Sequence, residues 1–134
     1  MSNEIILTSA AIEVDDETVT VEGNTISFIE GLGESTVKAA TNGGKPVMVI
    51  SSDETTKVGC IKFSMPATIQ ANNDSRNWAA LGAGRTVRVT GIDPAGNRLA
   101  RTLLYGIMVT DPEKQIQNEG TLEVEFKGSP LVAA

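Results

Sequence analysis

The chain has 134 residues, 40% hydrophobic and 21% charged, enough for one domain with a core of its own. Seventeen acidic against eleven basic residues give a net charge of −6, which opposes binding to a phosphate backbone. No apolar run approaches the roughly 20 residues that span a bilayer, and the absence of histidine removes Ser-His and Cys-His nucleophiles and the commonest metal ligand.

Met1-Ser2-Asn3-Glu4 has no basic stretch before its short apolar run, so it does not read as a signal peptide, and the mature chain is expected to begin here in a cytoplasm. Asp15-Asp16-Glu17 and Asp53-Glu54 are acidic clusters without calcium-loop spacing and read as solvated turns. Thr18-Val19-Thr20-Val21 alternates, reaches the turn signal Glu22-Gly23-Asn24-Thr25, and resumes at Ile26-Ser27-Phe28, which predicts a hairpin.

Residues 30–57 fit a compact strand pattern least well. Glu30-Gly31-Leu32-Gly33-Glu34 and Thr41-Asn42-Gly43-Gly44-Lys45 frame a stretch rich in small residues. The apolar run Val47 to Ile50 then lies between Gly43-Gly44-Lys45-Pro46 and Ser51-Ser52-Asp53-Glu54. The expectation is a long loop or protruding hairpin, usable as an interaction arm or simply mobile.

Lys57 to Met65 predicts a strand with Ile61, Phe63 and Met65 on one face and Lys62 and Ser64 on the other, ending at Pro66. Cys60 is the lone cysteine, so no intrachain disulfide forms and a reducing compartment suits the chain; its apolar neighbours predict a buried thiol. A single helix is expected between Ala67 and Leu81, with Asn73, Asp74 and Ser75 as candidate N-caps and Gly82 as the left-handed residue after its end. Trp78 is expected to anchor that helix on the sheet.

Arg85 to Gly91 alternates around Val87 and Val89, Asp93-Pro94-Ala95-Gly96-Asn97 is a turn, and Leu99 to Val109 returns. That return carries Leu103, Leu104, Tyr105, Ile107, Met108 and Val109, apolar on both faces, which predicts cover by the core on one side and another subunit on the other. The final strand, Thr121 to Lys127, buries Leu122, Val124 and Phe126 and displays Thr121, Glu123 and Glu125. Roughly seven or eight short strands and one helix describe a mainly β domain, an antiparallel sandwich or barrel with a helix at its edge.

Gly31-Leu32-Gly33 and Gly82-Ala83-Gly84-Arg85 lack phosphate-cradle spacing, and no catalytic, cofactor or metal signature rises from the sequence. A carboxylate-dependent hydrolase survives only because Asp and Glu are plentiful.

One ordered series remains: Ile61-Lys62-Phe63-Ser64-Met65-Pro66, then Asn72-Asn73-Asp74-Ser75-Arg76-Asn77-Trp78, then Arg85 to Gly91. Met108-Val109-Thr110-Asp111-Pro112-Glu113 follows, and Asn118-Glu119-Gly120 leads into the strand Thr121 to Gly128. Over about residues 57–130 this order resembles the tail tube protein of contractile-tailed (myovirus) phages, departing at Thr110, where that family often has Asn.

The resemblance implies a non-enzymatic structural virion protein. It would form rings, typically of six subunits, stacked into a hollow tube with a continuous inner β-barrel, assembled in the host cytoplasm. DNA would pass through the lumen without specific binding, and the sheath, baseplate and tape-measure proteins would be partners. Within that picture Thr121, Glu123 and Glu125 are candidate lumen-facing residues. Gly43, Gly44, Lys45, Pro46, Asp53 and Glu54 are candidates for an arm reaching an adjacent ring. Phe63, Trp78, Leu122, Val124 and Phe126 are core anchors. The alternative is a stand-alone sandwich that docks a peptide or glycan; few aromatics speak against glycan stacking but not against peptide addition at an edge.

Overall fold

A computed structural model describes residues 9–80, 84–111 and 120–133. Met1 to Glu4, Leu81, Gly82, Pro112, Glu113, Asn118 and Glu119 lie outside the described residues.

Ten strands are described: β1 (Ser9–Val14), β2 (Glu17–Val19), β3 (Ser27–Ile29), β4 (Glu34–Asn42), β5 (Lys45–Asp53), β6 (Gly59–Pro66), β7 (Arg85–Ile92), β8 (Arg98–Met108), β9 (Thr121–Gly128) and β10 (Val132–Ala133). Helix α1 (Ile69–Ala80) stands between β6 and β7. Eight strands form one antiparallel sheet in the order β2-β1-β7-β8-β9-β6-β3, with β10 paired to β8, while β4 and β5 pair only with each other.

The large sheet curls around its own apolar face. Val19 on one edge strand and Phe28 on the other pack into the same cluster as Phe63, Val89, Leu103 and Phe126. The edges do not pair, so the barrel stays open. Residues 20–26 run from one edge to the other, where the Glu22 amide donates to the Ser64 carbonyl at 2.8 Å.

The predicted hairpin over Thr18 to Phe28 is therefore corrected. Its first half pairs with β1 (Ile12↔Val19) and its second with β6 (Phe28↔Ile61). The true turn precedes it, at Asp15 and Asp16, whose φ values of 51° and 67° make the left-handed pair that a two-residue hairpin turn demands. Arg85 holds Asp15 at 2.7 Å, and the Thr86 amide donates to the same carboxylate at 3.2 Å.

The helix also begins earlier than its cap signals suggest. Thr68 is the cap: its Oγ1 accepts from the Ala71 amide at 3.0 Å. Ser75 is wholly buried, its hydroxyl donating to the Asn72 carbonyl at 3.0 Å, so Asn73, Asp74 and Ser75 are interior helix residues. The hydrophobic face decided the start. It runs back from Trp78 through Ser75 to Ala71, and a helix begun at Asn73 would leave Ala71 off it.

Trp78 lies across the end of the core, 6.3 Å from Phe63 and 5.8 Å from Phe126, edge-on to both, while Phe63 and Phe126 stack at 6.3 Å. Phe63, Leu122, Val124 and Phe126 are fully buried. Phe63 and Val124 are direct cross-strand partners.

Candidate functional site

Three surfaces stand out from this frame. The first is the β4–β5 hairpin. Its two strands pair in register from Glu34↔Asp53 to Asn42↔Lys45 across Gly43-Gly44, whose φ values of 60° and 79° fit a two-residue turn. Every residue of both strands is exposed except Ala40, which is half-buried.

The base of the hairpin is tied down. The Thr55 amide donates to Asp53 Oδ1 at 3.0 Å and its hydroxyl at 2.5 Å, which lowers the Asp53 pKa below its usual 3.8. The Thr56 hydroxyl donates to the Asp53 carbonyl at 2.7 Å while accepting from the Glu34 amide at 2.6 Å, closing the two strands at their root. Glu54 pairs with Lys57 at 2.9 Å. Gly31, at φ 81°, passes so close to the Val58–Gly59 backbone that a Cβ there would lie 2.7 Å from the Gly59 nitrogen. Gly43, Gly44, Lys45 and Pro46 are thus at the tip, and Asp53 and Glu54 at the root.

The second surface is the outer face of β9. Thr121 donates to Glu22 at 3.0 Å, and Glu123 is exposed opposite Ser64. Glu125 is half-buried opposite Lys62, accepts from the Cys60 thiol at 3.1 Å, and has Lys127 at 3.7 Å. Burial pushes the Cys60 pKa up to about 11, with the Glu125 bond and charge adding to it, so the thiol stays protonated and unreactive at neutral pH. Three carboxylates, Glu22 among them, and two ammonium groups share this face.

The third is apolar. Between β7 and β8 the register slips: three residues from Arg85 to Val87 face four from Leu103 to Gly106. The bulge turns Leu104 and Tyr105 both outward, and Ile107 and Val109 continue the row, exposed at 52%, 69%, 51% and 51% in that order. Leu103 and Met108 point inward. Tyr105 lies against Gly84, where any Cβ would meet its ring. The mixed pattern of residues 99–109 is therefore a strand with a buried inner face, a bulge and an uncovered apolar outer row. Alternation alone gave no sign of the bulge.

Among the described residues no three His, Cys, Asp or Glu side chains gather as a metal site. A concavity of about 320 Å³ on the outer face is lined by Glu13, Asp16, Thr86, Arg88 and Thr102, with no nucleophile–base pair among them.

No protein-family model matches the chain, and no curated protein matches it. Among solved structures it is similar to the anti-feeding prophage tube-terminating cap, at 13% identity and a TM-score of 0.60, over 100% of this chain and 95% of that one. It is also similar to Hcp1 from Flavobacterium johnsoniae, at 13% identity and a TM-score of 0.47, over 93% of this chain and 98% of that one. The first likeness shows a shared fold along the whole length.

Proposed function

We propose that this chain is a self-assembling structural subunit of a hollow tube, as in contractile-tail particles, forming stacked rings and acting as a passive conduit without enzymatic activity. The observation that carries the reading is the β4–β5 hairpin. A two-stranded ribbon is marginal in water by itself, and this one exposes Val37, Met48, Val49 and Ile50 on a rigid root. Such an element makes sense when other copies cover it. The fold shared with a tube-terminating cap supports the reading.

In its finer form, the tube is the inner tail tube of a contractile phage. Rings of six stack, the hairpin reaches an adjacent ring, and Thr121, Glu123 and Glu125 face a lumen through which DNA passes. Sheath, baseplate and tape-measure proteins are then its partners, and the virion tail is its place.

Negative-stain microscopy of the purified chain, with and without residues 34–53 replaced by a short Gly-Ser turn, tests the reading. Rings or long tubes from the intact chain, and monomers from the shortened one, are expected. An intact chain that stays monomeric at high concentration refutes it. Single rings that never stack point to a terminating cap in place of a repeating tube.

A further inference from the structure

We infer that the apolar face of the β4–β5 hairpin seats on the Leu104–Tyr105–Ile107–Val109 row of a second copy of this chain. The inference rests on the tube reading in its coarse form and adds the acceptor surface; because Ile107 and Lys127 are cross-strand partners, a hairpin seated on this row and a lumen along the outer face of β9 are rival placements.

The register divides the ribbon into two unlike faces. Val37↔Ile50, Ala39↔Met48 and Thr41↔Pro46 share one face with Ser35↔Ser52, and none of these residues is charged. The other face mixes Glu34, Lys38, Lys45, Asp53 and the Thr36–Ser51 hydroxyl pair at 2.6 Å with Val47 and Val49. One side is thus free of charge and the other carries all the charges of the ribbon.

The acceptor row has matching chemistry. Leu104, Tyr105, Ile107 and Val109 carry no charge, and Lys127, the cross-strand neighbour of Ile107, borders them. Gly84 lets the Tyr105 ring lie close to the backbone, which makes the row a shelf. The chain leaves both surfaces uncovered, since the hairpin and the row are exposed together.

Size points to repetition. Nine residues per strand at about 3.4 Å, in a ribbon about 10 Å wide, offer about 300 Å² per face. A stable interface takes about 800 Å² per partner, so one such contact is weak by itself. Each copy, however, donates one hairpin and accepts another, and since the row spans only about 20 Å of one strand the area covered on each stays below about 600 Å² within an assembly. Donor and acceptor are different surfaces, so the contact propagates when it is made head to tail, where a reciprocal exchange would close on two copies.

The test uses the full chain. Ile107→Asp changes an exposed residue, so Trp78 fluorescence on heating is expected to match wild type, while the concentration needed for assembly in sedimentation velocity rises at least about 100-fold. Copies carrying Ile50→Cys are mixed with copies carrying Ile107→Cys and oxidised, native Cys60 being buried and unreactive. Disulfide-linked pairs of one of each are expected. Linkage only between two Ile50→Cys copies would mean hairpin on hairpin and overturns the inference. Wild-type chain that assembles while Ile107→Asp assembles at an unchanged concentration overturns the acceptor surface and leaves the tube reading standing. Wild-type chain that never assembles sinks both.

Discussion

Glu123→Lys tests where the outer face of β9 points in an assembly. In the native chain this face sets Glu22, Glu123 and Glu125 against Lys62 and Lys127, a local charge of −1. The substitution leaves three ammonium groups against two carboxylates, +1 per copy. Glu123 is exposed opposite Ser64, so monomer stability should change by no more than about 0.5 kcal/mol. If the face lines a lumen, rings repeat that +1 around a channel, and each lysine that reaches a phosphate adds about 0.9 to the log–log salt slope of DNA affinity. Wild-type tubes should then ignore duplex DNA, while variant tubes hold it at about 50 mM salt and release it by about 200 mM. Co-sedimentation across a salt series reads this, with nuclease protection separating DNA inside from DNA outside. Tubes that form normally but hold no DNA at low salt, or hold it fully open to nuclease, would refute the lumen assignment.

Three further outcomes bear on the fold. Phe126→Ala removes a fully buried ring that touches both Phe63 and Trp78, and should cost about 3–5 kcal/mol in urea unfolding followed by Trp78 fluorescence. Thr68→Ala removes the cap on the Ala71 amide and should cost about 1 kcal/mol, lowering Tm by about 3–5 °C in calorimetry. Thiolate absorbance near 240 nm, read in a Tyr105→Phe chain because a phenolate absorbs there too, should rise with a midpoint of about 11 for Cys60 and near 9 in urea. Because the folded pKa is the higher one, the stability it contributes is complete below pH 9 and is lost as pH rises toward 11. A folded midpoint near 9 would mean that the thiol is neither buried nor bonded to Glu125.

The strands of the large sheet were legible wherever one face is buried. Ile61, Phe63 and Met65 against Lys62 and Ser64, and Leu122, Val124 and Phe126 against Glu123 and Glu125, fix their own register by burial, because a one-residue slip would turn every side chain over. Thr18 to Phe28 misled because alternation and a turn signal describe each half-strand without saying which strand it meets. In the curled sheet the two halves part to opposite edges, and only the distant partners Ile12 and Ile61 reveal that. Thr68 does not stand out as a cap in the sequence because Asn73, Asp74 and Ser75 satisfy the same preference, and burial of Ser75 outweighs it. The outer row of β8 depends on a bulge that no residue type announces.

The surplus of negative charge has an explanation in the turns. Asp15 accepts from the Thr86 amide, Asp53 from the Thr55 amide, and Asp93 from the Ala95 and Asn97 amides at 3.0 and 2.8 Å. Carboxylates recur at these corners because two acceptor oxygens satisfy amides that a sheet cannot. Asp93 shows the effect most fully: its bonds from the Asn97 side chain and amide hold its pKa below the usual 3.8. The net charge of −6 is therefore no guide to the charge on any one wall, and the β9 face, at −1, is near balance within a chain that is not. A face so near balance pulls only weakly on a phosphate chain or a cationic one. For a conduit that property matters more than repulsion, because a repulsive wall must be overcome before the cargo enters, whereas a neutral polar wall leaves only friction.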